Sequence, residues 1–250
     1  MNSKNILKEK LKNGESVIGT WSSLSSSNVI NVLGTTDLDF VVIDMEHGSM
    51  SFETAEDMVR AADSSGISPV IRTWDDNEQT ILRSLETGVK SIMVPHVKSA
   101  EDAERIANSC KYYPDGNRGL SPYTRVHSFS HNELEESLKN ANEETLCGIL
   151  VEGKEGLSNL EEIVKVDGID LIYLGLFDIC QSVGLPGLVN HPDVIFEVDR
   201  CQKLIKDNNI APGSMSTDID YINMLKDKNF QFIAFLNDAA GMKLFFDDVL

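Results

Sequence analysis

Residues 41–47 read Val-Val-Ile-Asp-Met-Glu-His, a short apolar run that ends on three ionisable side chains, Asp44, Glu46 and His47. A rigid strand that delivers titratable groups to a crevice at its C-terminal end is how α/β folds place chemistry. His47 can act as a general base near neutral pH once a carboxylate orients it, and Asp44 or Glu46 can supply that carboxylate. The plainer alternative is a surface histidine on a loop. Arg72 directly follows Pro69-Val-Ile. Its guanidinium forks onto two oxygens, so it can clamp a carboxylate or steady a developing oxyanion, or else form a structural ion pair. Glu152 and Asp178 each follow a β-rich run. Two carboxylates at consecutive strand ends suit a hard divalent ion such as Mg²⁺ or Mn²⁺, with the substrate completing the shell. Each acid taken singly also suits the N-cap of a following helix.

Other strand ends carry Trp21, Pro95-His96, Ser214 and Asn237-Asp238. Trp21 and Trp74 can form an apolar wall or simply pack. His191, just before Pro192, reads as a turn residue at a helix start, and His96, His127 and His131 carry no assigned role.

These residues need a scaffold, and the β-rich runs supply it: Val17–Thr20, Phe40–Ile43, Pro69–Ile71, Ser91–Val94, Gly148–Val151, Leu171–Leu174, Ile210–Gly213 and Phe230–Phe235. Between most of them lie amphipathic stretches with start and stop signals. Ser51 precedes a helix over Phe52–Ala62 with Gly66 beyond it, Glu78–Glu86 stops at Thr87-Gly88, and Ser158-Asn-Leu-Glu161 has the form of a capping box. Eight β-α units in 250 residues match a TIM barrel, whereas a doubly wound sheet usually has fewer strands. The expected fold class is therefore α/β, a TIM (β/α)8 barrel in a single domain spanning residues 1–250. An opening amphipathic segment, Ser3 to Lys12, would cover the barrel bottom. The interval from Val94 to Gly148 is longer than one helix requires and carries Arg118, Arg125 and His127, with a further helix expected over His131 to Lys139. Such insertions are usually functional or interfacial.

The formal charge of −18 repels phosphate backbones and favours divalent cations, and no basic stripe is present, which argues against nucleic acid or an anionic membrane as partner. No apolar stretch approaches the roughly 18 residues of a membrane span. Met1 to Lys12 lacks the apolar core of a leader peptide, so a cytoplasmic location is expected. The four cysteines are widely spaced and read as reduced thiols.

With these residues in view the chain resembles the metal-dependent pyruvate aldolases of the HpcH/HpaI family. The likeness rests on Ile18-Gly-Thr-Trp21, Ile43-Asp-Met-Glu-His-Gly48, Val70-Ile-Arg72, Gly88 to Pro95, Tyr113-Pro-Asp-Gly-Asn-Arg-Gly119, Glu152, Asp178 and Ala211-Pro-Gly213. It implies a barrel whose C-terminal helix is exchanged between subunits of a homohexamer built as a trimer of dimers. It implies Glu152 and Asp178 as ligands of a divalent metal (Mg²⁺, Mn²⁺ or Co²⁺), Arg72 as the enolate-stabilising arginine and His47 as the acid/base. Glu86 matches an acid that raises the basicity of that histidine. The strand reading places Glu86 at the wrong end of the barrel unless a neighbouring chain supplies it, and Asp44 is the other candidate. Substrate contacts fall to Trp21, Leu150, Phe177, Asp178 and Ser214.

The reaction implied is reversible aldol cleavage of a 4-hydroxy-2-oxo acid to pyruvate and an aldehyde through a metal-stabilised enolate. Leu150 stands where the family commonly has a substrate-contacting glutamine, Leu176 replaces a usual proline and Cys180 a usual serine. Backbone amides near Phe177 can still hold the carboxylate. These departures leave open a related carbon–carbon lyase on another oxo acid or a thioester, and a binding or scaffold barrel without activity.

Overall fold

The computed structural model describes residues 4–189 and 191–250; Ser3, expected in the opening helix, lies outside them. Eight parallel strands follow one another around a closed barrel: β1 (Val17–Ser22), β2 (Phe40–Asp44), β3 (Ser68–Arg72), β4 (Ser91–Val97), β5 (Leu146–Val151), β6 (Leu171–Leu174), β7 (Ala211–Ser216) and β8 (Phe232–Asn237), with β8 pairing back onto β1. The expected TIM barrel is the fold found. Its strands read as continuous apolar runs because both faces are covered, as in β2, which is buried at all five positions. Alternate residues divide between two clusters. Phe40, Val42, Val70, Leu150, Tyr173 and Phe232 fill the barrel interior, while Val41, Ile43, Ile71, Ile149, Ile172 and Ile233 pack beneath the helices.

The helices are α1 (Ile6–Lys12), α2 (Ser27–Leu33), α3 (Phe52–Ser65), α4 (Glu78–Glu86), α5 (Ala100–Cys110), α6 (Leu134–Glu144), α7 (Gly153–Ser158), α8 (Leu160–Ile163), α9 (Leu176–Ser182), α10 (Pro192–Asp207), α11 (Ile219–Asp227) and α12 (Asp238–Val249). Helix α1 plugs the barrel bottom, inserting Leu7 and Leu11 into the interior cluster. Helix α3 obeys its sequence signals: the Ser51 side chain accepts from the Thr54 amide, and Gly66 closes the helix at φ +81°, a conformation glycine adopts without steric cost.

Three local expectations are corrected. Ser158 caps nothing; it is the last residue of α7, its hydroxyl donating to the Lys154 carbonyl, because the helix starts directly after Glu152. The helix expected from His131 begins at Leu134 and runs to Glu144. Strands β7 and β8 reach further toward their C-terminal ends than their apolar runs suggest, since ladder pairing continues where the side chains turn polar.

The long β4–β5 connection holds α5, a 3₁₀ turn at Arg125–His127 and α6. Arg118 is buried over the Tyr112 ring at 4.4 Å. Arg125 donates to the Thr87 carbonyl and to Asp63, both at 2.7 Å. The insertion therefore packs against the C-terminal ends of α3 and α4, at the end of the barrel opposite the strand C-termini. All four cysteines are free and buried. Among the described residues no helix is long and apolar enough to cross a membrane.

Candidate active site at the barrel mouth

The strand C-termini of β2 and β3 bring Asp44 and Arg72 side by side as ladder partners. Arg72 donates from Nε to Asp44 Oδ1 at 2.9 Å and from Nη2 to Oδ2 at 2.6 Å, a bidentate fork that is largely buried. Asp44 Oδ1 also accepts the backbone amides of Glu46 and His47, each at 3.1 Å, so one carboxylate fixes both the arginine and the turn that follows β2. Arg72 has a second acidic neighbour in Glu46, whose Oε2 stands 2.9 Å from Nη1 as an ion pair outside hydrogen-bond alignment. The guanidinium lies 4.4 Å over the Trp21 ring. Two acids along its edges and one ring on a face hold this cation in one orientation.

Strand β4 contributes a residue that the sequence left without a role. Pro95 sits inside a barrel strand, where a ladder donor is missing, and the β4–β5 register shifts between Val94 and Val97. Within that bulge His96 adopts φ +64°. Bulges re-aim side chains, and here the ring spans the mouth: Nε2 lies 2.9 Å from Glu46 Oε1 and Nδ1 lies 2.7 Å from Glu152 Oε1. The signal that could have found it is the proline in a run too apolar to be an edge.

Glu152 is the N-cap residue of α7, yet its side chain makes no capping bond and turns to His96 instead. Its carboxyl is held above the usual carboxylate range, first by burial and then by the charge of Asp178. Asp178 lies in the first turn of α9, and the two acids converge over Gly175: a Cβ there would stand 3.0 Å from Asp178 Oδ2 and 3.3 Å from Glu152 Cβ. Two half-buried carboxylates gathered about one glycine are a donor set that fits a hard divalent cation. Among the described residues no group of three or more His, Cys, Asp or Glu is arranged to hold a metal. Glu152 and Asp178 are the side chains here that could hold such an ion.

Below lies an apolar floor. Trp21 meets Tyr173 edge-on at 5.5 Å, and Leu150 is the register partner of Tyr173 across β5 and β6. Among the described residues the buried Tyr173 hydroxyl has no hydrogen bond of ordinary geometry, and burial pushes its phenol up.

Several sequence candidates sit elsewhere. His47 is exposed at the rim, and among the described residues its ring has neither a hydrogen bond nor an ion pair; Asp44 touches only its amide. Glu86 is the last residue of α4, at the far end of the barrel, where its charge acts on Arg118 and Tyr112. Within one chain it does not meet His47. Ser214 points outward: its strand neighbour Gly213 faces Tyr173 inside the barrel, so alternation turns Ser214 away, and its hydroxyl donates to the Leu174 carbonyl at 3.3 Å. Phe177 is half exposed on α9. His191 caps α10, accepting from the Asp193 amide, as its position before Pro192 suggested.

A family model described as HpcH/HpaI aldolase/citrate lyase matches residues 17–240. A hydroxypyruvate/pyruvate aldolase of Roseobacter denitrificans is 32% identical over 236 residues, covering 94% of this chain and 92% of that protein. A 2-keto-3-deoxy-L-rhamnonate aldolase of Klebsiella pneumoniae is 31% identical over 214 residues, covering 86% of this chain and 80% of its own length. Among solved structures, the citrate synthase SbnG superposes with a TM-score of 0.88 at 28% identity, covering 97% of this chain and 95% of that one. A family protein from Burkholderia cenocepacia gives 0.92 at 24% identity, each chain covered to 98%. Fold and sequence match along nearly the whole length, and the chain belongs to the HpcH/HpaI aldolase/citrate lyase family.

Proposed function

We propose that this protein is an aldolase, a carbon–carbon lyase that reversibly cleaves a 4-hydroxy-2-oxo acid to pyruvate and an aldehyde. The observation that carries this reading is the facing pair Glu152 and Asp178 beside an arginine locked by two acids at one barrel mouth. The names of the relatives, hydroxypyruvate/pyruvate aldolase and 2-keto-3-deoxy-L-rhamnonate aldolase, support it. Glu152 and Asp178 would hold a divalent ion, with Mg²⁺, Mn²⁺ and Co²⁺ the candidates, and that ion supplies Lewis-acid polarisation of the 2-oxo group.

Arg72 stabilises the oxyanion that develops at the 2-oxo oxygen, and its fork on Asp44 means that no reorganisation is needed at the moment of reaction. His47 moves the proton between the 4-hydroxyl and solvent, directly or through water, from a turn whose amide is tied to Asp44. Trp21 and Leu150 form the floor under the oxo acid, and backbone amides near Phe177 hold its carboxylate. Glu86 can serve His47 only across a subunit boundary. An oligomer that exchanges α12, a hexamer built as a trimer of dimers, fits the apolar side chains that α12 leaves exposed, Met242, Leu244, Phe245, Phe246 and Val249.

The test is pyruvate release from a panel of 4-hydroxy-2-oxo acids by metal-stripped protein, with and without each ion, alongside His47→Ala. Metal-dependent release that falls about 10²–10⁴-fold in the variant is expected; undiminished turnover in His47→Ala overturns the proton-transfer role. A second reading, condensation or cleavage on another oxo acid or a thioester, is favoured by the apolar Leu150 and by the 28% identity to a citrate synthase. Release of free thiol or citrate in place of pyruvate would select it.

A further inference from the structure

His96 has the geometry of a built component of the mouth. It lies in a β-bulge at φ +64°, a backbone state that non-glycine residues rarely occupy and that is retained where the surroundings impose it. Its two nitrogens reach carboxylates from two different strands, Glu46 after β2 at 2.9 Å and Glu152 after β5 at 2.7 Å. Glu46 in turn stands 2.9 Å from Arg72. An unbroken polar chain therefore runs Asp44, Arg72, Glu46, His96, Glu152 across the barrel mouth, and among the described residues His96 links the arginine side to the two acids.

We infer that His96 is a positioning residue for the Glu152 carboxylate, fixing which oxygen Glu152 presents toward Asp178 and binding that half of the site to Arg72 through Glu46. The inference rests on the reading of Glu152 as a metal carboxylate. It assigns the histidine no place in the coordination shell, in keeping with a donor set of two acids. A carboxylate with one oxygen tied by a ring nitrogen would offer its other oxygen to a cation. Without that tie it rotates about its last torsion, and the binding of the cation must restore the order.

The test uses full-length, metal-stripped protein and Mn²⁺ alone, followed by the loss of the free-ion electron paramagnetic resonance signal. His96→Gly removes both contacts while accepting the left-handed backbone, and His96→Asn keeps a donor near the Nδ1 edge in a residue that also tolerates that backbone. Mn²⁺ affinity is expected to fall by about 10–100-fold in His96→Gly and to be largely recovered in His96→Asn. The wild-type complex is expected to show no ¹⁴N coupling to Mn²⁺. Wild-type affinity in His96→Gly, no recovery in His96→Asn, or ¹⁴N coupling to a directly bound ring each overturns the positioning role while leaving the metal site standing. No Mn²⁺ binding by the wild-type protein removes the metal reading and this inference together.

Discussion

Arg72 and Asp44 are ladder partners at the ends of β3 and β2, and their side chains repeat that pairing as a buried two-pronged fork at 2.9 and 2.6 Å. Removing one partner of a buried pair strands the other charge. Asp44→Ala is expected to cost about 3 kcal/mol in chemical denaturation, with Glu46 left as the sole acid on the arginine. Arg72→Ala is expected to lower turnover by about 10²–10³-fold in protein that still folds. An Asp44→Ala variant as stable as wild type would mean that Glu46 alone holds the guanidinium.

Tyr173 is the register partner of Leu150 across β5 and β6, and among the described residues its buried hydroxyl has no hydrogen bond of ordinary geometry. An unpaired buried hydroxyl costs about 1–3 kcal/mol. Tyr173→Phe is therefore expected to raise stability by about 1 kcal/mol with pyruvate release retained. If turnover falls while stability stays level, the hydroxyl belongs to substrate recognition instead.

His127 is sandwiched between Ser137 Oγ at 2.7 Å and Tyr112 Oη at 3.1 Å, and burial, then the Arg118 charge, hold its imidazole below the ordinary value near 6.5. Below that pH the unfolded chain takes up a proton that the folded chain refuses. The stability is fully present above about 6.5 and declines as pH falls from there toward the folded value. Melting curves at pH 7.5 and 5.5 should show a larger acid-side loss in wild type than in His127→Asn. Equal losses would place the acid sensitivity elsewhere.

Helix α12 leaves Phe245 at 65% and Phe246 at 57% exposed, a poor arrangement for an isolated chain. A Phe246→Asp variant is expected to shift the light-scattering mass toward the monomer while its circular dichroism is kept. A wild-type protein that is monomeric at micromolar concentration would remove both helix exchange and any role for Glu86 across subunits.

What the sequence by itself determined is what lies along the chain: eight apolar runs at barrel spacing, and Asp44, Glu46, His47, Arg72, Glu152 and Asp178 at or just past their ends. Burial of both strand faces makes such runs conspicuous, and covalent adjacency delivers the polar residues that follow them to one end of the barrel. Only the tertiary structure decided which of these groups meet. Register pairs Asp44 with Arg72 and sends Ser214 outward, a bulge at Pro95-His96 aims a histidine that looked incidental, and Glu152, at the N-cap of α7, turns its side chain to that histidine beside Asp178. The hydrophobic pattern records how deeply a residue is buried, but partners across strands depend on register and closure, where a shift of one residue reverses every side chain.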